Sequence, residues 1–143
     1  MKRSIELIGL ALLSLLTGCA NGPSEPSKGT EIASVAAPDG FARAFVFVPE
    51  LAGGLGATIS QPYQVWMESL KIGTDKQLML EADKTDGFHL SWNSAGQLVV
   101  CYADAQIYKF RNQMVMVVES SPQMHVVEVL LKRADKIEDC QVR

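Results

Sequence analysis

The stretch Phe88-His89-Leu90-Ser91-Trp92-Asn93-Ser94-Ala95-Gly96-Gln97-Leu98-Val99-Val100-Cys101-Tyr102 decides the fold class of this chain. Residues 88–92 alternate apolar and polar side chains with a period of two, which is typical of a strand with one buried face. Residues 93–96 supply four polar or small side chains suited to a hairpin turn. Residues 97–102 then form a second apolar run. The sequence therefore predicts a β-hairpin here.

Similar runs flank this hairpin on both sides. Phe41–Val48 is apolar on both faces toward its end, so we expect it inside a sheet. Tyr63–Ile72 places Val65 and Met67 on one face and Trp66 on the other. Further strands are predicted over residues 77–82, 107–110, 114–118 and 125–132, followed by a polar tail with one helical turn. Short strands with frequent turns predict an all-β domain of about seven or eight strands, a single antiparallel meander forming a sandwich or an open barrel.

The N-terminus carries the signature of a secretory signal. Lys2 and Arg3 precede an apolar run over residues 7–16, which ends in Leu16-Thr17-Gly18-Cys19. A membrane-spanning helix needs about 20 apolar residues, roughly twice the length of this run. In these residues the chain resembles the bacterial lipoproteins cut by the lipoprotein signal peptidase. The resemblance implies that Cys19 becomes the first residue, acylated with fatty acids such as palmitate.

The lipoprotein resemblance also implies a location. Ala20 stands where an aspartate would signal retention at the inner membrane, so we expect a lipid anchor in the outer membrane, facing the periplasm. The chain then divides into a signal peptide at 1–18, a lipidated flexible tether at 19–38 and a β domain at 39–143. The tether is rich in Pro, Gly and Ser and would reach up to about 60 Å when extended.

Charge and cysteine content narrow the function further. The chain carries a net charge of −3, and residues 1–18 contribute +1, which leaves −4 for the remainder. This acidic balance gives no electrostatic case for binding nucleic acid. Once Cys19 is lipidated, Cys101 and Cys140 are the remaining thiols in an oxidising compartment, so we expect them to form a disulfide. The alternative is two separate thiols, one of them a small buried side chain on a strand.

Residues that often carry chemistry show no recognisable pattern. His89 and His125 adjoin no nucleophile and lack paired metal-ligand spacing, so we expect solvent-facing strand histidines. Glu81, Asp83 and Asp86 cluster around one turn without the alternating pattern of a calcium loop, which favours a solvated turn over a cation site. The sequence therefore predicts no catalytic centre, no metal and no cofactor.

Two features could form a binding surface. The loop over residues 49–60 contains Gly53, Gly54, Leu55 and Gly56 and lacks the Lys-Ser/Thr ending of a phosphate-binding loop. A long irregular connection in a compact domain is often functional, so this loop is the preferred candidate for binding an envelope protein. Large aromatic side chains could alternatively form a carbohydrate or peptide surface, or fill the core, and these are Tyr63, Trp66, Trp92, Tyr102 and Tyr108.

Two stretches resemble single blades of TolB-like or WD-type propellers. They are Ala37-Pro38-Asp39-Gly40 leading into residues 44–47, and residues 90–100 of the hairpin. About a hundred residues make at most two blades, whereas a closed propeller needs at least four, so the resemblance implies blade-like hairpins in a small lipoprotein domain with no known function.

Three functions are compatible with these features. The preferred one is a binding or scaffolding module anchored to the membrane through its N-terminal lipid. The second is a periplasmic inhibitor or immunity protein against a cell-wall-degrading enzyme, by architectural analogy with disulfide-bonded β lipoproteins that inhibit lysozyme. The third is an envelope hydrolase, which requires His89 or His125 to meet an acid and a nucleophile in a cleft.

Overall fold

The computed structural model describes residues 25–50, 60–71, 76–117 and 123–140. Within them the chain is all-β, which confirms the predicted fold class. The described strands and one short 3₁₀ helix have the following bounds: β1 Gly29–Ala36, β2 Ala42–Pro49, β3 Tyr63–Ser69, β4 Lys76–Asp83, β5 His89–Trp92, β6 Leu98–Tyr102, β7 Gln106–Phe110, β8 Gln113–Val117, β9 Met124–Arg133 and the helix Ile137–Cys140.

The strands form two sheets that pack as a sandwich. The first sheet has the order β1-β2-β3-β4-β7 and the second has the order β5-β6-β9-β8. All paired neighbours are antiparallel except β6 and β9, which are parallel. The main core lies between the sheets and combines buried residues of both, among them Val46, Val65, Leu80, Leu98, Met114 and Val129.

The segment from β7 to β8 connects the two sheets along one side of the sandwich. β7 pairs with β4 in the first sheet, and β8 pairs with β9 in the second. The chain changes sheets at Arg111 and Asn112, where the Arg111 amide donates to the Met79 carbonyl and the Asn112 carbonyl accepts from the Val129 amide. These two hydrogen bonds fix the crossing point, because one joins it to each sheet.

The central position predicted for Phe41–Val48 is confirmed. β2 lies between β1 and β3, with Ala44 and Val46 in the core between the sheets. Phe45 and Phe47 point to the opposite, outer face of the first sheet, where they form a second buried cluster. The strand is therefore buried on both of its faces, as its sequence requires.

The prediction of a flexible tether over residues 19–38 is wrong for residues 29–36, because these form the edge strand β1. Its side chains are nearly all exposed, so its small and polar composition looks like that of a linker. The strand is held by backbone pairing with β2 instead of by burial. Gly29 is required at its start because the Phe47 ring lies where a side chain at position 29 would be. The folded domain thus begins about ten residues earlier than predicted.

The disulfide predicted between Cys101 and Cys140 is present. Cys101 lies on β6 and Cys140 ends the 3₁₀ helix, with 5.5 Å between their Cα atoms. Both side chains are buried. The bond fixes the C-terminal segment to the second sheet, and the helical turn predicted in the polar tail is found there at Ile137–Cys140.

Gly29→Ala tests whether β1 belongs to the domain. An added Cβ would lie 2.7 Å from Phe47 Cζ and even closer to the Val48 carbonyl oxygen, and this backbone atom cannot rotate away. We expect a loss of about 1–3 kcal/mol in the free energy of unfolding, measured by thermal denaturation. Ser34→Ala, at an exposed position of the same strand, should stay within about 0.5 kcal/mol of wild type. Equal unfolding midpoints for both variants would contradict the placement of β1.

Removing the disulfide should cost about 4 kcal/mol in the free energy of unfolding, because the bond closes a loop with a sequence separation of 39 residues. Denaturant unfolding of the Cys101→Ala/Cys140→Ala double variant measures this loss. Wild-type protein unfolded in the presence of a reductant is the matched control and should lose about as much. Complete alkylation of both cysteines in the native, unreduced protein would contradict the pairing.

Candidate functional site

The candidate binding residues Gly53, Gly54, Leu55 and Gly56 lie outside the described residues, as does Cys19. The described chain nevertheless fixes where their loop begins and ends. It leaves the first sheet at the end of β2 and returns at the start of β3, and these strands are direct neighbours. The end of β2 and the start of β3 therefore lie at one end of the sandwich, beside the start of β1.

A shallow concavity of about 440 Å³ lies at this end of the sandwich. The Glu50 amide donates to the Lys28 carbonyl at 2.7 Å, and the two side chains form an ion pair at 3.0 Å. The Gln61 Nε2 amide donates to the Pro49 carbonyl at 3.2 Å. The residues that line the concavity are Lys28, Gly29, Thr30, Val48, Pro49, Glu50 and Gln61.

The chemistry of this concavity suits weak polar contacts. The side chains of Lys28 and Glu50 are 88% and 59% exposed, so water and salt screen their attraction and the pair contributes about 1 kcal/mol at most. Both charges can exchange their partner for one on another molecule at little cost. Four of its lining residues belong to the paired strands β1 and β2, namely Gly29, Thr30, Val48 and Pro49.

The outer face of the first sheet carries an aromatic cluster that the sequence did not predict as a unit. Phe45, Phe47 and Trp66 are buried there, with Leu78 packed against them. The Trp66 indole Nε1 donates to the Gln64 side-chain oxygen at 2.9 Å, which satisfies its polar atom. The predicted placement of Trp66 on the face opposite Val65 and Met67 is confirmed. Because Trp66 is buried, its role is structural.

A network of charges lies beside this aromatic cluster and spans four strands. The Arg43 guanidinium donates through Nε to Glu68 at 2.7 Å and through Nη1 to Glu31 at 2.9 Å. Lys76 lies 3.6 Å from the second oxygen of Glu68, and Arg43 stacks over the Phe45 ring at 4.9 Å. Burial alone lowers the pKa of Arg43, but the hydrogen bonds and charges of Glu68 and Glu31 raise it by more, so the pKa lies above its usual value. Arg43 is thus a permanent cation that joins β1, β2 and β3.

The three carboxylates predicted as one solvated turn have separate environments. Glu81 lies on β4, where its Oε2 accepts from Gln64 at 3.1 Å and lies 3.6 Å from Lys109. Asp83 is buried at the end of β4, and only Asp86 lies in the turn itself. The prediction of a solvated turn is therefore wrong for Glu81 and Asp83. Alternation along the chain could not reveal this, because their partners come from β3 and β7.

The two histidines lie in different parts of the second sheet, and both are half-buried instead of solvent-facing. His89 starts β5 opposite Cys101. His125, on β9, stacks on the Phe41 ring at a centroid distance of 4.0 Å, and its Nε2 lies 3.7 Å from an Asp39 carboxylate oxygen. An acid and a histidine thus lie close together, and neither Phe41 nor Asp39 brings a hydroxyl or a thiol to the imidazole.

The remaining aromatic candidates do not form one surface. Tyr63, Phe88 and Tyr102 are joined by edge-on ring contacts at centroid distances of 6.4 and 6.3 Å, and these rings pack against the main core. The Trp92 indole lies against the Val35 carbonyl. Tyr108 is separate from them and exposed on β7.

Two further kinds of feature are absent from the described residues, a metal-binding cluster and a membrane-spanning helix. No group of three or more His, Cys, Asp or Glu side chains in that part of the chain is arranged to hold a metal ion. No helix within the same residues has the length and apolar character needed to cross a membrane.

Comparisons with known proteins identify no relative of this chain. No family model, no curated protein and no solved structure matches this chain.

The pair Asp83 and Tyr108 can be tested by titration. The hydrogen bond to Asp83 raises the pKa of the Tyr108 phenol, and desolvation and the carboxylate charge act in the same direction. Asp83→Asn should lower the pKa of Tyr108 toward its ordinary value, because the amide has no negative charge and its oxygen accepts a weaker hydrogen bond from the phenol than a carboxylate does. The measurement is ring ¹³C NMR of labelled tyrosine over pH. Asp86→Asn should leave the titration unchanged, and equal shifts in both variants would contradict the contact.

Proposed function

We propose that this chain is a lipid-anchored binding or scaffolding module of the bacterial outer membrane, facing the periplasm. The observation that carries the proposal is Leu16-Thr17-Gly18-Cys19 at the end of a short apolar run behind Lys2 and Arg3. The run is too short to cross a bilayer and ends at a residue that can be acylated. The lipid attached to Cys19 is the contact with the membrane, and an envelope protein is the partner.

The early start of β1 shortens the link between lipid and domain. Ten peptide steps separate Cys19 from Gly29, the first residue of β1, so the extended link reaches about 35 Å at most. β1 starts at the end of the sandwich where β2 ends and β3 begins. In the proposed arrangement, the concavity beside Lys28 and Glu50 therefore lies near the membrane. Partners there would be proteins or lipids of the envelope surface.

A binding role is supported by the way the reactive side chains are used. Glu68 and Glu81 are engaged by cations and amides that connect strands, and His125 is stacked on Phe41. Such contacts stabilise the fold and hold these groups in place. The exposed polar end of the sandwich instead offers charges that can change partners.

Cys19→Ser tests the anchor. In cells supplied with labelled palmitate, the wild-type chain should carry the label and appear at the mass of the chain without residues 1–18 plus lipid. Cys19→Ser should be unlabelled and retain residues 1–18, because the serine hydroxyl is not acylated by this pathway. Cys140→Ser is the matched control and should remain labelled. A labelled, shortened Cys19→Ser protein would contradict the proposal, and membrane fractionation of the wild type shows which membrane holds it.

A further inference from the structure

The hairpin of β8 and β9 exposes an unusual amount of apolar surface. Val115 pairs with Val126 and Val117 pairs with Met124 across the two strands. These four side chains point away from the core and are 39%, 50%, 57% and 68% exposed, respectively. Together they make an apolar stripe on the outer face of the second sheet, next to an edge of that sheet.

The edge strand β8 lacks the features that protect the other edges. β1 carries Glu31 and an irregularity in its pairing, and β7 carries Lys109 and a second irregularity. β5 is only four residues long. β8 pairs regularly over Gln113–Val117 and contains no charge and no proline. Such an edge is a template for another strand.

We propose that β8 pairs antiparallel with β8 of a second copy of this chain, around a two-fold axis at Val115. In this register Val115 faces its own copy, Met114 faces Met116, and Gln113 faces Val117. No like charges meet, because the strand has none. The two apolar stripes become continuous on one face of an eight-stranded sheet, and Val115 packs against Val115 of the second copy, so cross-strand side-chain contacts add to the backbone pairing.

A second copy fits this edge better than an arbitrary strand does. An antiparallel register about Val115 repeats the alternation of inward methionines and outward valines that β8 already shows. The interface is small, below the roughly 1,200 Å² typical of weak complexes, so we expect dissociation constants in the micromolar range. The copies carry net charge of the same sign, so added salt should strengthen the dimer.

Cysteine cross-linking in the full chain tests the register. Directly opposed residues of an antiparallel pair have Cα atoms about 4.5–5.5 Å apart, which a disulfide can span. Val115→Cys should therefore give a covalent homodimer on a non-reducing gel after mild oxidation. Val126→Cys is the matched control, since this neighbouring valine has similar exposure but lies three strand spacings, about 14 Å, from its copy. On the same gel it should give no covalent dimer.

Sedimentation of the full wild-type chain in detergent is the second measurement. We expect a monomer–dimer equilibrium, and Val115→Lys should weaken it at least tenfold because two lysines would face each other at the axis. Wild type that remains monomeric up to about 100 µM overturns the proposal irrespective of the variants. Equal cross-linking of Val115→Cys and Val126→Cys also overturns it. An adduct of Val115→Cys with a different protein, without homodimer, would assign the edge to another partner and overturn the second-copy assignment.

Discussion

The burial of β2 on both of its faces is the constraint on which the rest of this fold depends. Its inward side chains require a second sheet across the core, and its outward Phe45 and Phe47 require a cover of their own. A strand of this kind is stable only with a paired strand on each side. β1 and β3 fill these positions, and their glutamates Glu31 and Glu68 meet at Arg43 of β2. Apolar burial and the charge network therefore have the same origin.

The fold class and most strands could be predicted because alternation along the chain reports which face of a strand is buried. β1 could not be predicted, because its stability comes from backbone hydrogen bonds to β2 and these leave no apolar pattern in the sequence. The parallel pairing of β6 with β9 could not be predicted either, since alternation identifies the buried face of a strand and not the strands beside it. The cysteine pair was predictable because the proposed compartment and a count of three cysteines left a single pair.

The contacts around the candidate site likewise depend on strand pairing that the sequence does not reveal. The ion pairs of Arg43 with Glu68 and of Glu81 with Lys109 join residues that are distant in sequence, so they depend on register between strands. A bulge in the pairing of β3 with β4 brings Leu78 next to Trp66, which no local pattern indicates. The two outer faces differ as a result. The outer face of the first sheet is covered by its own aromatic and charged side chains. Part of the outer face of the second sheet is apolar and exposed.

The edge position of β1 determines how the domain responds to a mechanical load on its N-terminus. β1 is antiparallel to β2, and the connection between them lies at the opposite end from Gly29. A pull entering at Gly29 therefore opens the backbone hydrogen bonds of β1 one after another, which takes less force than shearing a whole strand at once. The disulfide between Cys101 and Cys140 ties the C-terminal segment to the other sheet and does not hold β1 in place. β1 is the first element to yield, and its loss exposes the edge of β2.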